Sequence, residues 1–231
     1  MSTNDISALE DRLGYHFRDK KFLIEALTHR SFYHENPGKA DNYNERLEFL
    51  GDSVLGFVIV ESLFLCDRRL PESVMAKTKS YLVKESVLSE IANAISLGRF
   101  LRLGKGEEVT GGRAKRSLLA DAVEAVLGAV YLDGGYEKAQ GLILRLFKEK
   151  IEAILSSGEF HDFKTELQEK TQMHFGVIPE YKMIRQEGEE HRKTFTVEVY
   201  VAGERFGTGY GKSKKEAETL AAREALEKLR G

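Results

Sequence analysis

Hydrophobic side chains recur with a helical period along the first two thirds of the chain, and they alternate as in a strand only near its end. No alternating pattern occurs before residue 156, so we predict an all-α domain over residues 1–155. Its helices are expected at residues 6–13, 22–27, 45–66, 77–96, 117–132 and 138–155, with a turn at residues 36–39. Residues 156–161 are small and polar without an apolar pattern, and we predict a linker there.

Residues 162–231 follow a different pattern, which predicts a small α+β domain in the order α-β-β-β-α. Phe195, Val197, Val199 and Val201 alternate with polar residues, as in a strand that buries one face. Further strands are predicted at residues 181–185 and 205–211, and helices at residues 163–175 and 214–229. The chain is therefore expected to fold as two domains of different class.

Three acidic residues lie on one face of the long helix at residues 45–66. Glu45, Glu48 and Asp52 stand at i, i+3 and i+7 of an otherwise apolar segment. Carboxylates that share a half-buried stripe repel one another, and a divalent cation with oxygen ligands relieves this cost. Acids in the first turn of a helix also interact favourably with the helix dipole. This alternative accounts for Glu45 and Glu48 without a metal, but not for Asp52, which lies two turns into the helix.

A second apolar helix, predicted at residues 117–132, carries another acidic pair. Asp121 and Glu124 stand at i and i+3 and are its only acids before its end. If the two helices pack together, the two acidic stripes can meet. Two or more carboxylates from each helix around Mg²⁺ would form a hydrolytic metal centre.

Composition narrows the class of protein. The formal net charge of the 231 residues is −2, so bulk charge indicates no nucleic-acid partner. Any basic surface must come from the placement of Lys and Arg in the fold.

The single cysteine, Cys66, cannot form an intrachain disulfide, and this suggests a reduced compartment. We expect its side chain to be a buried small hydrophobe. The N-terminus lacks a basic region followed by an apolar core, and Glu48, Asp52 and Glu61 interrupt the one run long enough to span a membrane. We therefore expect a cytoplasmic protein with no membrane partner.

Several short motifs resemble those of a known family. Residues 44–53, with the sequence NERLEFLGDS, resemble the signature of the ribonuclease III family, and LADAVEA at residues 119–125 resembles its second acidic helix. Residues 164–169 and 211–218 resemble the two main motifs of a double-stranded-RNA-binding domain. The likeness extends from about residue 9 to the C-terminus. It implies an all-α endonuclease domain followed by a double-stranded-RNA-binding domain.

The resemblance implies an activity, a cofactor and an assembly. Members of this family are Mg²⁺-dependent endoribonucleases, with Mn²⁺ able to replace Mg²⁺, that cut double-stranded RNA to 5′-phosphate and 3′-hydroxyl ends with short 3′ overhangs. They process precursors of ribosomal RNA and other structured transcripts, including messenger and transfer RNA. They act as homodimers that associate through the helical domain.

The resemblance also assigns roles to six acids by their position in the motifs. The family usually has Gly after the acid that aligns with position 72, and this chain has Ser73 there. His29 could be catalytic, but a histidine in such a position more often caps a helix or makes a loop contact, and we assign it no role. By resemblance the catalytic residues are Asp52 and Glu124, the metal ligands are Glu48, Asp121 and Glu124, and the acids that line the active-site valley are Glu45 and Glu72.

Basic residues mark a candidate RNA-binding surface in the C-terminal domain. Lys212, Lys214 and Lys215 crowd the start of the last helix, where a helix N-terminus already attracts phosphate. A solvated basic cap is the alternative for such a cluster. His191 lies in a predicted hairpin that could enter a minor groove of A-form RNA. The residues predicted to bind RNA are Thr165, Gln168, His191, Lys212, Ser213, Lys214 and Lys215.

The acidic set occurs once in the chain, and this favours a dimer. One set can attack one strand, whereas a twofold dimer presents two sites to the two strands of a duplex. The long helix has more apolar residues than one face needs, so either the core or a partner must cover Phe57, Ile59, Leu63, Phe64 and Leu65.

Two rival classes of protein are considered, and the residues argue against both, since all four core acids are present. One is a catalytically weak protein that binds double-stranded RNA. The other is a di-iron helical protein, which needs Glu-x-x-His on its helices, and neither acidic helix has this spacing.

Overall fold

The structure is a computed structural model that describes residues 3–66, 70–157, 163–188 and 193–230. The chain forms two compact units, residues 1–160 and residues 161–231. The first unit contains the helices α1 (Thr3–Leu13), α2 (Lys20–Ala26), α3 (Arg30–Glu35), α4 (Glu45–Cys66), α5 (Glu72–Leu82), α6 (Glu85–Ala94), α7 (Lys105–Val109), α8 (Arg116–Gly134) and α9 (Tyr136–Ser157). The second contains α10 (Phe163–Phe175), β1 (Glu180–Glu187), β2 (Thr194–Val201), β3 (Glu204–Gly211) and α11 (Lys214–Arg230).

Helix α8 is the centre of the helical unit. Nearly every apolar residue from Leu118 to Val130 is buried, so α8 is covered on almost all sides, as a core helix must be when it is apolar around its circumference. Helices α2, α4, α6 and α9 pack around it, and α4 has the most extensive contact. The apolar side of α4 therefore lies against α8, which places the two acidic helices next to each other.

The described part of the helical unit contains no strand, only an isolated bridge between Thr28 and Arg102. By length and composition, α4 is the one described helix that could cross a membrane. Core helices of folded domains pass the same test, and α4 buries its residues Leu55, Val58 and Ile59 in the core of this unit.

Three details differ from the sequence-based predictions. The helix predicted at residues 77–96 is two helices, α5 and α6. The backbone is extended at Lys84, and Glu85 begins the first turn of the second helix. No Pro or Gly marks this break, and the hydrophobic stripe continues across it. Helix α9 runs through Ser157, two residues into the predicted linker at 156–161. Cys66 is exposed at the end of α4, so its prediction as a buried hydrophobe was wrong.

The C-terminal unit is a three-stranded antiparallel sheet, in the order β1-β2-β3, covered on one face by α10 and α11. Val197, Val199 and Val201 are buried on the helix side, as their alternation predicted. Ala202 and Gly203 both have positive φ, 52° and 85°, which suits the tight two-residue turn between β2 and β3. This arrangement is the predicted α-β-β-β-α fold.

Candidate active site

The packing of α4 on α8 brings the two acidic stripes together. Glu48 and Asp52 come from α4, and Asp121 and Glu124 come from α8. Each of these four carboxylates acts electrostatically on at least one of the others across the helix pair. The four acids that the sequence placed on two separate helices therefore form one cluster.

The cluster shifts the pKa values of its own members. Burial, followed by the charges of Asp52, Glu48 and Asp121, raises the pKa of Glu124 from an ordinary 4.5 to about 8. Burial and the charges of Asp121, Glu45 and Asp52 raise the pKa of Glu48 to about 6. Burial is also the main cause that raises the pKa of Asp121. Removing these carboxylates from water while they face one another disfavours their charged forms.

Little positive charge compensates this cluster within the described chain. No described Lys or Arg forms an ion pair with Glu48, Asp52 or Glu124, and the nearby Lys115 only partly offsets the effects that raise the pKa of Asp121. A cluster of hard carboxylate oxygens without a counter-charge fits a divalent cation such as Mg²⁺. Among the described residues no three His, Cys, Asp or Glu side chains already converge as a metal cage.

The two further acids assigned to the active-site valley differ in position. Glu45 lies one turn before Glu48, forms a 3.5 Å ion pair with Arg30, and contributes to the raised pKa values of Glu48 and Asp121. Glu72 is exposed in the first turn of α5. Its charge is not among those that shift the pKa of the clustered acids. The single chain therefore brings Glu45, but not Glu72, to the cluster.

A cleft opens beside Glu48 and Asp121, and residues without an assigned role also line it. His29, Ser31 and Lys115 line this cleft together with the two acids. The sequence offered only weak signals for these residues, because a loop that follows a helix and a basic connector have no periodicity. They become recognisable as site residues only when the fold places them in one cleft with the acids.

In the C-terminal unit the predicted RNA-binding residues are exposed. Lys212, Ser213, Lys214 and Lys215 surround the N-terminus of α11, and Thr165 and Gln168 lie on α10. The Ser213 hydroxyl accepts a hydrogen bond from the Glu216 amide at 3.1 Å, and the Glu216 carboxylate accepts one from the Lys212 amide at 2.7 Å. This reciprocal cap orders the basic turn. His191 lies outside the described residues.

Comparison with known proteins identifies both domains. A ribonuclease-III-like family matches residues 19–151, and a double-stranded RNA binding motif matches residues 163–229. Ribonuclease 3 of Caldanaerobacter subterraneus is 48% identical over 225 residues, which cover 97% of this chain and 98% of the relative. Ribonuclease 3 of Streptomyces coelicolor is 48% identical over 222 residues, which cover 96% of this chain and 79% of the relative.

Solved structures give the same result for the helical domain. Two structures of the nuclease domain of ribonuclease III from Campylobacter jejuni are 44% and 43% identical, with TM-scores of 0.58 and 0.59. The two matches cover 62% and 65% of this chain, and 96% and 97% of the respective solved chains. The predicted fold class is confirmed, and the di-iron alternative was wrong. The chain belongs to the ribonuclease III family and is an endoribonuclease whose nuclease domain is followed by a double-stranded-RNA-binding domain.

Proposed function

We propose that this protein is a Mg²⁺-dependent endoribonuclease that cuts double-stranded RNA to 5′-phosphate and 3′-hydroxyl ends with short 3′ overhangs. The observation that carries the proposal is the cluster of four carboxylates between α4 and α8, which has no ion-paired Lys or Arg on Glu48, Asp52 or Glu124 among the described residues. Mn²⁺ has the same preference for oxygen ligands and is expected to replace Mg²⁺. Ribosomal-RNA precursors and other structured transcripts are the expected substrates.

In this proposal Glu48, Asp121 and Glu124 hold the metal, and Asp52 and Glu124 stand closest to the chemistry. When bound, the metal would lower the pKa of a water molecule and stabilise negative charge on the phosphate. Burial and the neighbouring carboxylates raise the pKa of Glu124 to about 8, which favours its protonated form when no cation is bound. Cation binding and proton release are therefore coupled at this residue. Glu45 and Glu72 would line the valley that receives the RNA.

The C-terminal domain supplies the affinity for the duplex. Exposed lysines at the start of α11 can contact phosphates, and the exposed Thr165 and Gln168 of α10 can contact the minor groove. Domains of this kind read the shape of A-form RNA across roughly 16 base pairs, not its sequence. The substrate class is therefore a duplex, with little dependence on base identity expected from this domain.

We also propose a homodimer that forms through the nuclease domain. Phe57, Phe64 and Leu65 are exposed on α4, whereas Ile59 and Leu63, which were also considered for the interface, are buried in the core. Phe49 is 80% exposed and borders a groove that Leu50 and Leu132 also line. One Campylobacter jejuni structure is described as showing flexibility in a region involved in dimer formation of that protein's nuclease domain. A protruding aromatic side chain beside an apolar groove suits a self-complementary twofold contact.

We place the protein in the cytoplasm and expect no membrane partner. A single cysteine provides no disulfide that would need an oxidising compartment. The substrates proposed above are also made in the cytoplasm of a bacterial cell.

A gel assay with long double-stranded RNA tests the proposal. We expect short products with Mg²⁺ or Mn²⁺, none with EDTA, and none from single-stranded RNA of the same sequence. End labelling should find phosphate on the 5′ ends and hydroxyl on the 3′ ends. Glu124→Gln should bind the duplex without cutting it. Cleavage by this variant at a near wild-type rate would show that the metal assignment is wrong.

A further inference from the structure

We propose that His29 is a catalytic-site residue that donates a hydrogen bond from Nε2 to a phosphate oxygen of the RNA strand being cut. The inference rests on the proposed function, because it needs RNA in the cleft beside Glu48 and Asp121. His29 lines that cleft together with the two acids.

The hydrogen bonds around His29 determine which ring nitrogen carries the proton. Nδ1 accepts the backbone N–H of Ser31 at 3.2 Å, so Nδ1 is unprotonated. The Ser31 hydroxyl lies 2.8 Å from the same nitrogen and accepts the Gly104 amide N–H at 2.9 Å, which directs the hydroxyl proton to Nδ1. A neutral ring with two donors on Nδ1 must carry its own proton on Nε2.

Burial favours the neutral form of the ring, in which that donor is available. The ring is half-buried, and burial is the main cause that lowers its pKa below the ordinary 6.5. The charges of Glu107 and Glu45 raise this pKa, and the charges of Arg30 and Lys115 lower it. No described residue accepts a hydrogen bond from Nε2. The edge of the ring that carries Nε2 is therefore the part that His29 can offer to a ligand in the cleft.

Backbone hydrogen bonds connect His29 to the first acidic helix. The His29 amide donates to the Arg102 carbonyl at 3.1 Å, and the Thr28 carbonyl accepts the Asn44 amide at 2.9 Å. Asn44 in turn accepts the Glu48 amide at 2.9 Å, the first hydrogen bond of α4. His29 and Glu48 thus belong to one hydrogen-bonded framework, so a donor on His29 keeps a constant position relative to the acids.

The chemistry of the cleft favours a phosphate oxygen as the acceptor. The acids of the cleft can hold a phosphodiester only through a cation, whereas His29 and Lys115, which also line the cleft, can bind its oxygens directly. Lys115 forms a 3.5 Å ion pair with Glu107 and contributes charge, and His29 contributes a directed donor without charge. A phosphodiester has two non-bridging oxygens, so one can bind the cation while the other accepts a hydrogen bond from His29.

The simpler alternative is that His29 only caps α3, since its Nδ1 satisfies the Ser31 amide. Two substitutions separate these roles. In His29→Asn the side-chain oxygen can replace Nδ1 as the cap, and the remote donor is lost. In His29→Gln the amide nitrogen reaches the position of Nε2, and the cap is lost.

The test is single-turnover cleavage of duplex RNA at saturating enzyme with Mg²⁺, together with thermal unfolding of the full chain. We expect His29→Asn to unfold near the wild-type temperature and to cleave roughly 10- to 100-fold more slowly, the value of one hydrogen bond to a charged group. His29→Gln should unfold at a lower temperature but cleave faster than His29→Asn at 25 °C. His29→Asn with wild-type rate, or His29→Gln no faster than His29→Asn, would overturn the proposal.

A second measurement does not depend on catalysis or on the stability of the His29 variants. In ¹⁵N spectra of the Glu124→Gln protein, the His29 ring should show the Nε2–H tautomer, and its signals should shift when duplex RNA and Mg²⁺ are added. A proton on Nδ1, or unchanged signals with saturating RNA, would also overturn the inference. If wild-type protein does not cut duplex RNA, the proposed function fails; if it does and His29 meets neither expectation, only this inference fails.

Discussion

Gly51 and Gly128 face each other where α4 crosses α8, and neither position has room for a side chain. A Cβ on Gly51 would lie 1.8 Å from the backbone oxygen of Glu124, and a Cβ on Gly128 would lie 2.3 Å from the backbone oxygen of Leu47. The obstacles are backbone atoms, so no rotamer change can relieve them. Because Glu48 and Asp52 flank Gly51 in the sequence, this contact sets the separation of the two acidic pairs.

The first prediction follows from this contact. Gly51→Ala should force α4 and α8 apart, lower the free energy of unfolding by about 1–3 kcal/mol as overpacked cores do, and reduce cleavage by disturbing the acidic cluster. Thermal unfolding and single-turnover cleavage measure the two effects. Gly141→Ala is the matched control, because a Cβ on Gly141 in α9 would meet no other atom within 4 Å and helix interiors favour Ala. Equal behaviour of the two variants would contradict the prediction.

The second prediction concerns stability against pH without metal. A carboxyl with a raised pKa binds more protons in the folded chain than in the unfolded chain between the two pKa values, so the free energy of unfolding falls as the pH rises through that interval. For Glu124 the interval runs from 4.5 to about 8, and for Glu48 it ends at about 6. In EDTA, the unfolding temperature of the wild type should therefore decline between pH 6.5 and pH 8.

Glu124→Gln is the control for that decline, because it removes the titrating group and leaves the other groups in place. Its unfolding temperature should change less over the same pH range and exceed that of the wild type at pH 8 in EDTA. Mg²⁺ should raise the unfolding temperature of the wild type more than that of the variant. Parallel curves for the two proteins would mean that Glu124 does not hold a proton in this range.

The third prediction concerns salt dependence of RNA binding. Replacing Lys212, Lys214 and Lys215 together by Ala should weaken duplex binding and reduce the slope of log K against log salt by about 2–3, one for each lost phosphate contact. Cleavage at low salt and saturating RNA should remain near wild type, since the acidic cluster is in the other domain. Lys228→Ala, near the far end of α11, is the control and should leave the salt slope unchanged. An unchanged slope in the triple variant would remove these lysines from the interface.

The fourth prediction concerns assembly. Phe49→Ala should raise the dissociation constant of the dimer by roughly 30- to 1000-fold, the range of a central aromatic contact, while the unfolding of the isolated chain changes little because Phe49 is 80% exposed. Sedimentation over a range of concentrations measures the change. Val109→Ala, at a residue that is 86% exposed on the short helix α7, should not affect assembly. A wild-type protein that sediments as a monomer while cutting both strands would refute the dimer itself.

Hydrophobic periodicity was sufficient to predict the two domain types and the positions of the four clustered acids. The acids of each helix share a face because of the 3.6-residue period, and Val197, Val199 and Val201 face one side of the sheet because of the strand period. Both are local properties of the backbone, so they can be read without knowing what each element packs against. The helix break at Lys84 left no such local signal, since the apolar stripe is continuous across it.

Only the tertiary structure decided how close the acids come, which of them lose their water, and which residues share their cleft. The approach of α4 to α8 depends on the meeting of Gly51 and Gly128, which are 77 residues apart in the chain. The raised pKa of Glu124 depends on burial and on charges from both helices. The orientation of the Ser31 hydroxyl beside His29 depends on Gly104, which donates its amide N–H to that hydroxyl from a distant part of the chain. Such contacts join residues far apart in sequence, and local backbone preference carries no information about them.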